Sequence, residues 1–196
     1  MTNLSDAIQA IINAHQRYAL RGSFGPTRQT WPAVLPSSTE LLALYAQHAP
    51  QGVKIDTGIA PIRFLNLDAL EESQVGYRWE DDASGRRASP KWNPAFIVFA
   101  DDLGGGKPII ADTASPGTPI WANYDTGTPF QISGSLGDFL AALAVQIDVV
   151  YGSFAVFEVL DDNDEVKIEF LQHMRKEVLP ILGNAFFDAY MDYFYG

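Results

Sequence analysis

The amino-acid sequence predicts an α+β domain: an antiparallel or mixed sheet meander flanked by helices, with an extra helical segment at the C-terminus. Three observations carry this. Four short segments of β character crowd into residues 95–132, joined by the turn-rich links DDLGGG, DTASPGT and DTGT. Amphipathic stretches opened by Ser lie before and after them. Hydrophobic residues make up 47% of the chain and charged residues 19%, with 12 Phe, 8 Tyr and 4 Trp, enough to fill one substantial core over residues 1–196.

In order along the chain, Ser5 caps a helix over 6–20 in which Ile8, Ile11, Ile12, His15 and Ala19 recur at helical spacing. RGSFGPTRQTWPAVLP (21–36) ends it with Gly and Pro. A second helix opens at Ser37, where Ser37 and Glu40 form a capping box ahead of Leu41, Leu44 and Tyr45; it stops near Ala49. IDTGIAPIRFLN reads as one or two short strands and LDALEES as a helical turn. The polar stretch QVGYRWEDDASGRRASPKWNP reads as an exposed loop.

The four β segments are 95–100, 107–111, 119–124 and 129–132. Ile120, Ala122 and Tyr124 share one face while Trp121 and Asn123 share the other, so the sheet is expected to be half covered, with helices on one side. A third helix starts at Ser135, with Asp138 completing its capping box and Leu136, Phe139, Leu140, Leu143 and Ile147 on one stripe. YGSFAVFEVLDDNDE then reads as a strand or a helix extension ending in an acidic turn. The remainder is helical, broken or kinked at Pro180 and Gly183. Its stripe of Phe186, Phe187, Tyr190, Met191 and Phe194 docks on the domain itself or forms an oligomer contact.

With no Cys, disulfides, thiolate metal sites and cysteine nucleophiles are excluded. The first twenty residues have no basic region and no uninterrupted apolar stretch, so neither a signal peptide nor a membrane anchor is expected, and no long apolar run is expected elsewhere. A soluble, cytoplasmic protein is the default. Residues 1–100 hold 9 Asp+Glu against 9 Lys+Arg and residues 101–196 hold 15 against 4, so the net charge of −11 belongs to the second half. Such a field repels nucleic acid and anionic lipid and steers basic proteins, although solubility explains acidity equally well.

Tests for chemistry find little. Gly104-Gly105-Gly106-Lys107 lacks the spacing of a phosphate-binding loop, and Lys107 leads into Pro108 and a strand. Asp101 and Asp125, at one edge of a simple meander, would be roughly 10 Å apart, too wide for one metal ion. Asp161-Asp162-Asn163-Asp164-Glu165 lacks the Gly and distal Glu of a calcium loop, and reads as helix N-terminal capping and solvation or partner contact. His15, His48 and His173 sit on different expected helices, and no Gly-x-Ser-x-Gly elbow exists. The loop holding Trp79 and Trp92 carries Arg78, Arg86, Arg87 and Lys91, but Glu80, Asp81 and Asp82 cancel much of that charge, which argues against a nucleic-acid platform. An exposed Trp there would serve a protein interface better. No catalytic residue, metal or cofactor is expected.

Leu35-Pro36 before the second helix, Trp92 and Pro94 before the strand at 95–100, the Gly104-Gly105 turn, Asp112 after the next strand and Phe139-Leu140 in the third helix follow one another in a familiar order. Over residues 33–145 the chain resembles the SUKH superfamily, which includes bacterial toxin-immunity proteins and fungal cell-wall-synthesis regulators. The resemblance implies an α+β fold with a mixed or antiparallel sheet and a non-enzymatic role; bacterial members bind and neutralise a cognate toxin, often a nuclease, inside the producing cell. Two departures stand out. Gly106-Lys107 follows the paired Gly where many relatives have an acid, and the helical extension 151–196 lies beyond the family-like core.

The expected function is that of an immunity-type protein that occludes the basic surface of a toxin. Alternatives are a regulatory scaffold for a housekeeping protein and a small-ligand or enzyme domain. Neither nucleic acid nor membrane is an expected partner. The expected partner-binding residues are Trp79, Glu80, Asp81, Asp82, Asp101, Asp102, Asp161, Asp162, Asp164 and Glu165.

Overall fold

The computed structural model describes residues 2–83, 85–103, 106–124 and 127–196; the Gly104-Gly105 turn and Asp125 lie outside the described residues. Its centre is a seven-stranded sheet, antiparallel throughout, in the order β1 (Arg21–Gly25), β2 (Ala49–Ile55), β3 (Ile62–Phe64), β6 (Phe96–Asp101), β7 (Pro108–Asp112), β8 (Ile120–Ala122) and β9 (Phe130–Ser133). Between β3 and β6 the chain detours through a separate hairpin, β4 (Trp79–Asp82) and β5 (Gly85–Ala88).

The four expected β segments form β6 to β9 as a continuous meander. Its register pairs Ile97 with Ala111 and Ala111 with Ile120, so one apolar row runs across three strands. The other strands differ from expectation. β1 lies in a segment read as irregular, because it is a mostly exposed edge strand with no apolar alternation. A bulge at Gly22 (φ +89°) lets it approach β2 so closely that a Cβ there would run into the backbone of Gly52. The stretch read as a loop contains the β4–β5 hairpin, whose polar strands give no hydrophobic signal.

α1 (Leu4–Arg17) is capped by Asn3 rather than Ser5: the Asn3 Oδ1 accepts from the amides of Ser5 at 2.9 Å and Asp6 at 3.3 Å. It ends before Ala19, whose φ is +51°. The cap of α2 (Thr39–His48) also shifts, by one residue from the expected Ser37. The Ser38 Oγ accepts from the Leu41 amide at 3.2 Å, while Glu40 accepts from the Thr118 hydroxyl at 2.9 Å. Two adjacent serines make the local signal degenerate, and contact of Ser38 with Thr118 decides between them.

α3 (Leu136–Ile147) begins as expected, with the Ser135 Oγ accepting from the Asp138 amide at 3.0 Å and its whole apolar stripe buried. Burial pushes the Asp138 carboxyl up, but the Thr2 amide at 2.6 Å and the Ser135 hydroxyl together hold it below the usual aspartate range. A π-helical turn, Asp148–Ser153, continues α3. The expected absence of a long apolar run is corrected here. Leu136–Ser153 is long and apolar enough by composition to cross a membrane, with mean hydropathy 1.3, and 67% of it is buried inside the fold.

Helices α4 (Ile168–Glu177), α5 (Leu179–Leu182) and α6 (Phe187–Tyr195) are separated near Pro180 and Gly183, as expected. The C-terminal stripe docks on the chain itself. Phe187, Tyr190 and Phe194 are buried with Tyr193, while Phe186 and Met191 are half-buried. Ring contacts run from Phe64 through Phe99 and Phe139 to Tyr190 and Phe194, crossing from sheet to α3 to α6. Tyr190 donates to Gln146, and Tyr193 to the Lys107 carbonyl at 2.8 Å. Each such buried side chain contributes about 1.5–3 kcal/mol, so 151–196 belongs to the same core as the sheet.

The sheet is also covered more fully than its alternation suggested. Val98 and Ile110, on the face opposite Phe99, are as buried as Ile97 and Ala111. Beyond Phe64, where β3 ends, the buried Gln74 amide continues the ladder, donating to the Val98 carbonyl at 2.8 Å and accepting from its amide at 3.0 Å.

Candidate functional site

The expected partner-binding residues fall in three separate places. The first is the β4–β5 hairpin, where cross-strand register sets Glu80 opposite Arg87 and Asp81 opposite Arg86. Arg86 reaches Asp81 at 3.0 Å and Glu72 at 2.9 Å, and Arg87 reaches Glu80 at 2.9 Å and Asp82 at 3.6 Å. The hydrogen bond it donates to Asp81, then that to Glu72, raises the Arg86 guanidinium above its ordinary pKa. The hairpin's acids are therefore already engaged. Trp79 is half-buried against the core with the Arg78 guanidinium 5.0 Å from its ring centroid.

The second place is the end of β6. Asp101 makes a two-pronged hydrogen bond to its cross-strand neighbour Arg63, at 2.7 and 2.9 Å, and Asp102 accepts from the Lys107 amide at 3.2 Å. Both fasten the sheet edge.

The third place differs. Leu160 and Val166 bridge to close a turn, and Asp161 accepts from the amides of Asn163 at 2.8 Å and Glu165 at 3.0 Å. Those amides, Glu165 first, hold the Asp161 carboxyl below its ordinary range. Asp161 thus caps its own turn. The N-terminus of α4 has Lys167 at the cap and no side-chain capping bond, which corrects the expected capping role. Asp162, Asp164 and Glu165 are exposed, and among the described residues none of them, nor Glu158, has a cation within ion-pair distance.

Beside this turn stands a residue that sequence reasoning missed. Phe157 is 92% exposed. Phe154 and Val159 are buried on either side of it, and the chain between them turns through Ala155 (φ +47°) and Val156 (φ +64°). Left-handed backbone is unfavourable for any residue with a Cβ, most of all a β-branched one, and costs on the order of 1–3 kcal/mol per residue. Hydrogen bonds from Val156 to the Val150 carbonyl at 2.8 Å and from Glu158 to the Phe154 carbonyl at 2.9 Å hold the turn. α4 then opens with Ile168 68% exposed and Leu171 39% exposed, over a shallow groove of about 260 Å³ shared with Phe187 and Met191. Phe157 and this groove, which Arg175 also lines, lie on either side of the acidic turn in the chain. In the sequence Phe157 is one apolar residue among several in YGSFAVFEVL, with no period to mark it as outward.

A further cleft, about 780 Å³, opens on the outer face of the sheet beside the hairpin. Tyr77, Trp92 and Phe96 line it with Glu80, Lys91 and Asn123. Its rings stand in series, Tyr77 to Trp92 at 5.5 Å, Trp92 to Phe96 at 6.1 Å and Phe96 to Trp121 at 5.6 Å. Burial lowers the nearby Arg78 guanidinium from its ordinary pKa.

His15, His48 and His173 lie on α1, α2 and α4, and among the described residues no three His, Asp or Glu side chains are grouped to hold a metal ion. Comparison of the chain with protein-family models, curated proteins and solved structures gives no match. The resemblance to the SUKH superfamily therefore rests on its motif residues.

Proposed function

We propose that the protein is a non-enzymatic binding domain that engages a basic partner protein through Phe157 and the acidic turn 161–165. One observation carries this reading: an almost fully exposed Phe, held out by strained backbone, near carboxylates that have no cation within ion-pair distance among the described residues. Aromatic anchors supply most of an interface's binding energy, and unpaired charge around them speeds encounter with a partner of opposite sign. The SUKH resemblance supports an immunity role inside the producing cell, with a basic toxin, such as a nuclease, as the partner. Titration with the basic toxin encoded beside the gene gives tight, salt-sensitive binding, and co-expression protects toxin-producing cells. Absence of both binding and protection would overturn the reading.

A further inference from the structure

The buried side-chain N and O atoms without a hydrogen-bond partner among the described residues are Arg78 Nε, Trp79 Nε1, Trp121 Nε1 and Asn123 Oδ1. Asn123 is a wall of the outer-face cleft, and the other three lie one or two positions along the chain from the walls Tyr77, Glu80 and Asn123. Trp121 and Asn123 also share the outer face of the sheet by alternation, and the Trp121 ring packs on Phe96 in the cleft wall. Elsewhere the indoles are satisfied: Trp31 donates to the Leu35 carbonyl at 3.3 Å and Trp92 to the Phe96 carbonyl at 3.1 Å. Buried polar groups in folded proteins are paired as a rule, so an orphan amide oxygen on the cleft wall at Asn123, with three orphan N–H groups one or two positions along the chain from its walls, marks a place where a ligand completes them.

The same cleft limits what that ligand is. Its aromatic rings ask for a flat apolar face. Three orphan N–H donors and one carbonyl acceptor ask for a rim of groups that both accept and donate. A pyranose ring meets both demands, with C–H faces that stack on Trp92 and Tyr77 and hydroxyls that accept from an indole while donating to an amide oxygen. The charges at the cleft are mixed and do not single out an anion: Glu80 and Lys91 both line it, and the Arg78 guanidinium beside it donates to the Pro94 carbonyl. A volume of 780 Å³ falls in the ordinary range for small-molecule sites, roughly 300–1,000 Å³.

We propose that the cleft binds a short neutral oligosaccharide, stacked on Trp92 and Tyr77 and hydrogen-bonded by the Trp121 indole and the Asn123 side chain. The test is a titration of the full chain with maltotriose, cellotriose and triacetylchitotriose, with uridine monophosphate as the anionic comparison, read on the four indole N–H signals by NMR. One of the sugars shifts the Trp121 and Trp79 signals saturably while Trp31 stays still. Asn123→Ala, at a strand end, keeps the fold and weakens binding about tenfold, as does Trp92→Ala where circular dichroism shows it folded. The proposal is overturned by no saturable shift with any of the three sugars, by binding of uridine monophosphate instead, or by unchanged affinity in Asn123→Ala. Any of these leaves the basic-partner reading intact, since Phe157 and residues 161–165 do not line the cleft.

Discussion

The hairpin β4–β5 and the turn 161–165 are close relatives as strings of letters, WEDDASGRR and LDDNDE, each with a block of acids at a loop. Folding makes them opposites. In the hairpin, antiparallel register delivers Arg87 to Glu80 and Arg86 to Asp81, so the charge is consumed within the molecule. In the turn, Asp161 is consumed by its own backbone, and Asp162, Asp164 and Glu165 face solvent. Charge available to a partner is thus set by strand register and turn geometry rather than by composition.

The largest expected effect separates the two directly. Phe157→Ala should remove about 2–4 kcal/mol of binding to the basic partner, read by calorimetry, while Asp81→Asn and Asp82→Asn leave affinity within error. The reverse outcome would move the interface to the hairpin. Next, the triple change Asp162→Asn, Asp164→Asn and Glu165→Gln, which spares the capping Asp161, should slow association about tenfold at low salt with little change in dissociation, the difference fading as salt rises. An on-rate that does not change would show the turn is not part of the encounter.

Smaller effects probe how each segment is held. Ala155→Gly relieves an exposed left-handed residue and should raise stability by about 1 kcal/mol in thermal unfolding. Loss of stability would mean the turn is not strained there. Arg86→Met should cost the hairpin little, as loss of exposed pairs does, and be visible as faster amide exchange over 79–88 without change in the turn. The smallest effect concerns acid. The Asp161 carboxyl is depressed in the folded turn, so its contribution is present above the unfolded value of about 3.9 and is lost as pH falls through the lower folded value. Its NMR titration midpoint should lie below that of a model aspartate; a midpoint at or above it would remove the capping bonds.

Features that depend on neighbours a few residues away could be read directly from the sequence. Strands β6 to β9 announced themselves by short β runs between turn residues, α3 by Ser135, Asp138 and a stripe at helical spacing, and the breaks near Pro180 and Gly183 by lost donors and left-handed φ. Where two local solutions were nearly equal, as with Ser37 and Ser38 or Asn3 and Ser5, the sequence left an ambiguity of one or two residues. β1 and the hairpin were hidden because polar edge strands carry no apolar alternation.

What the sequence by itself determined was the class of fold, the meander with its capped central helix, and the placing of the acidic excess after residue 100, all consequences of local periodicity, turn chemistry and composition. Only the tertiary structure decided which acids are spent on Arg86, Arg87 and Arg63 and which stay free, that α6 is core, that Phe157 is outside it, and that Trp92 and Asn123 meet at one cleft. The physical reason is that pairing and burial are set by partners far apart in the chain, and by where buried anchors such as Phe154 and Val159 leave the backbone between them to go.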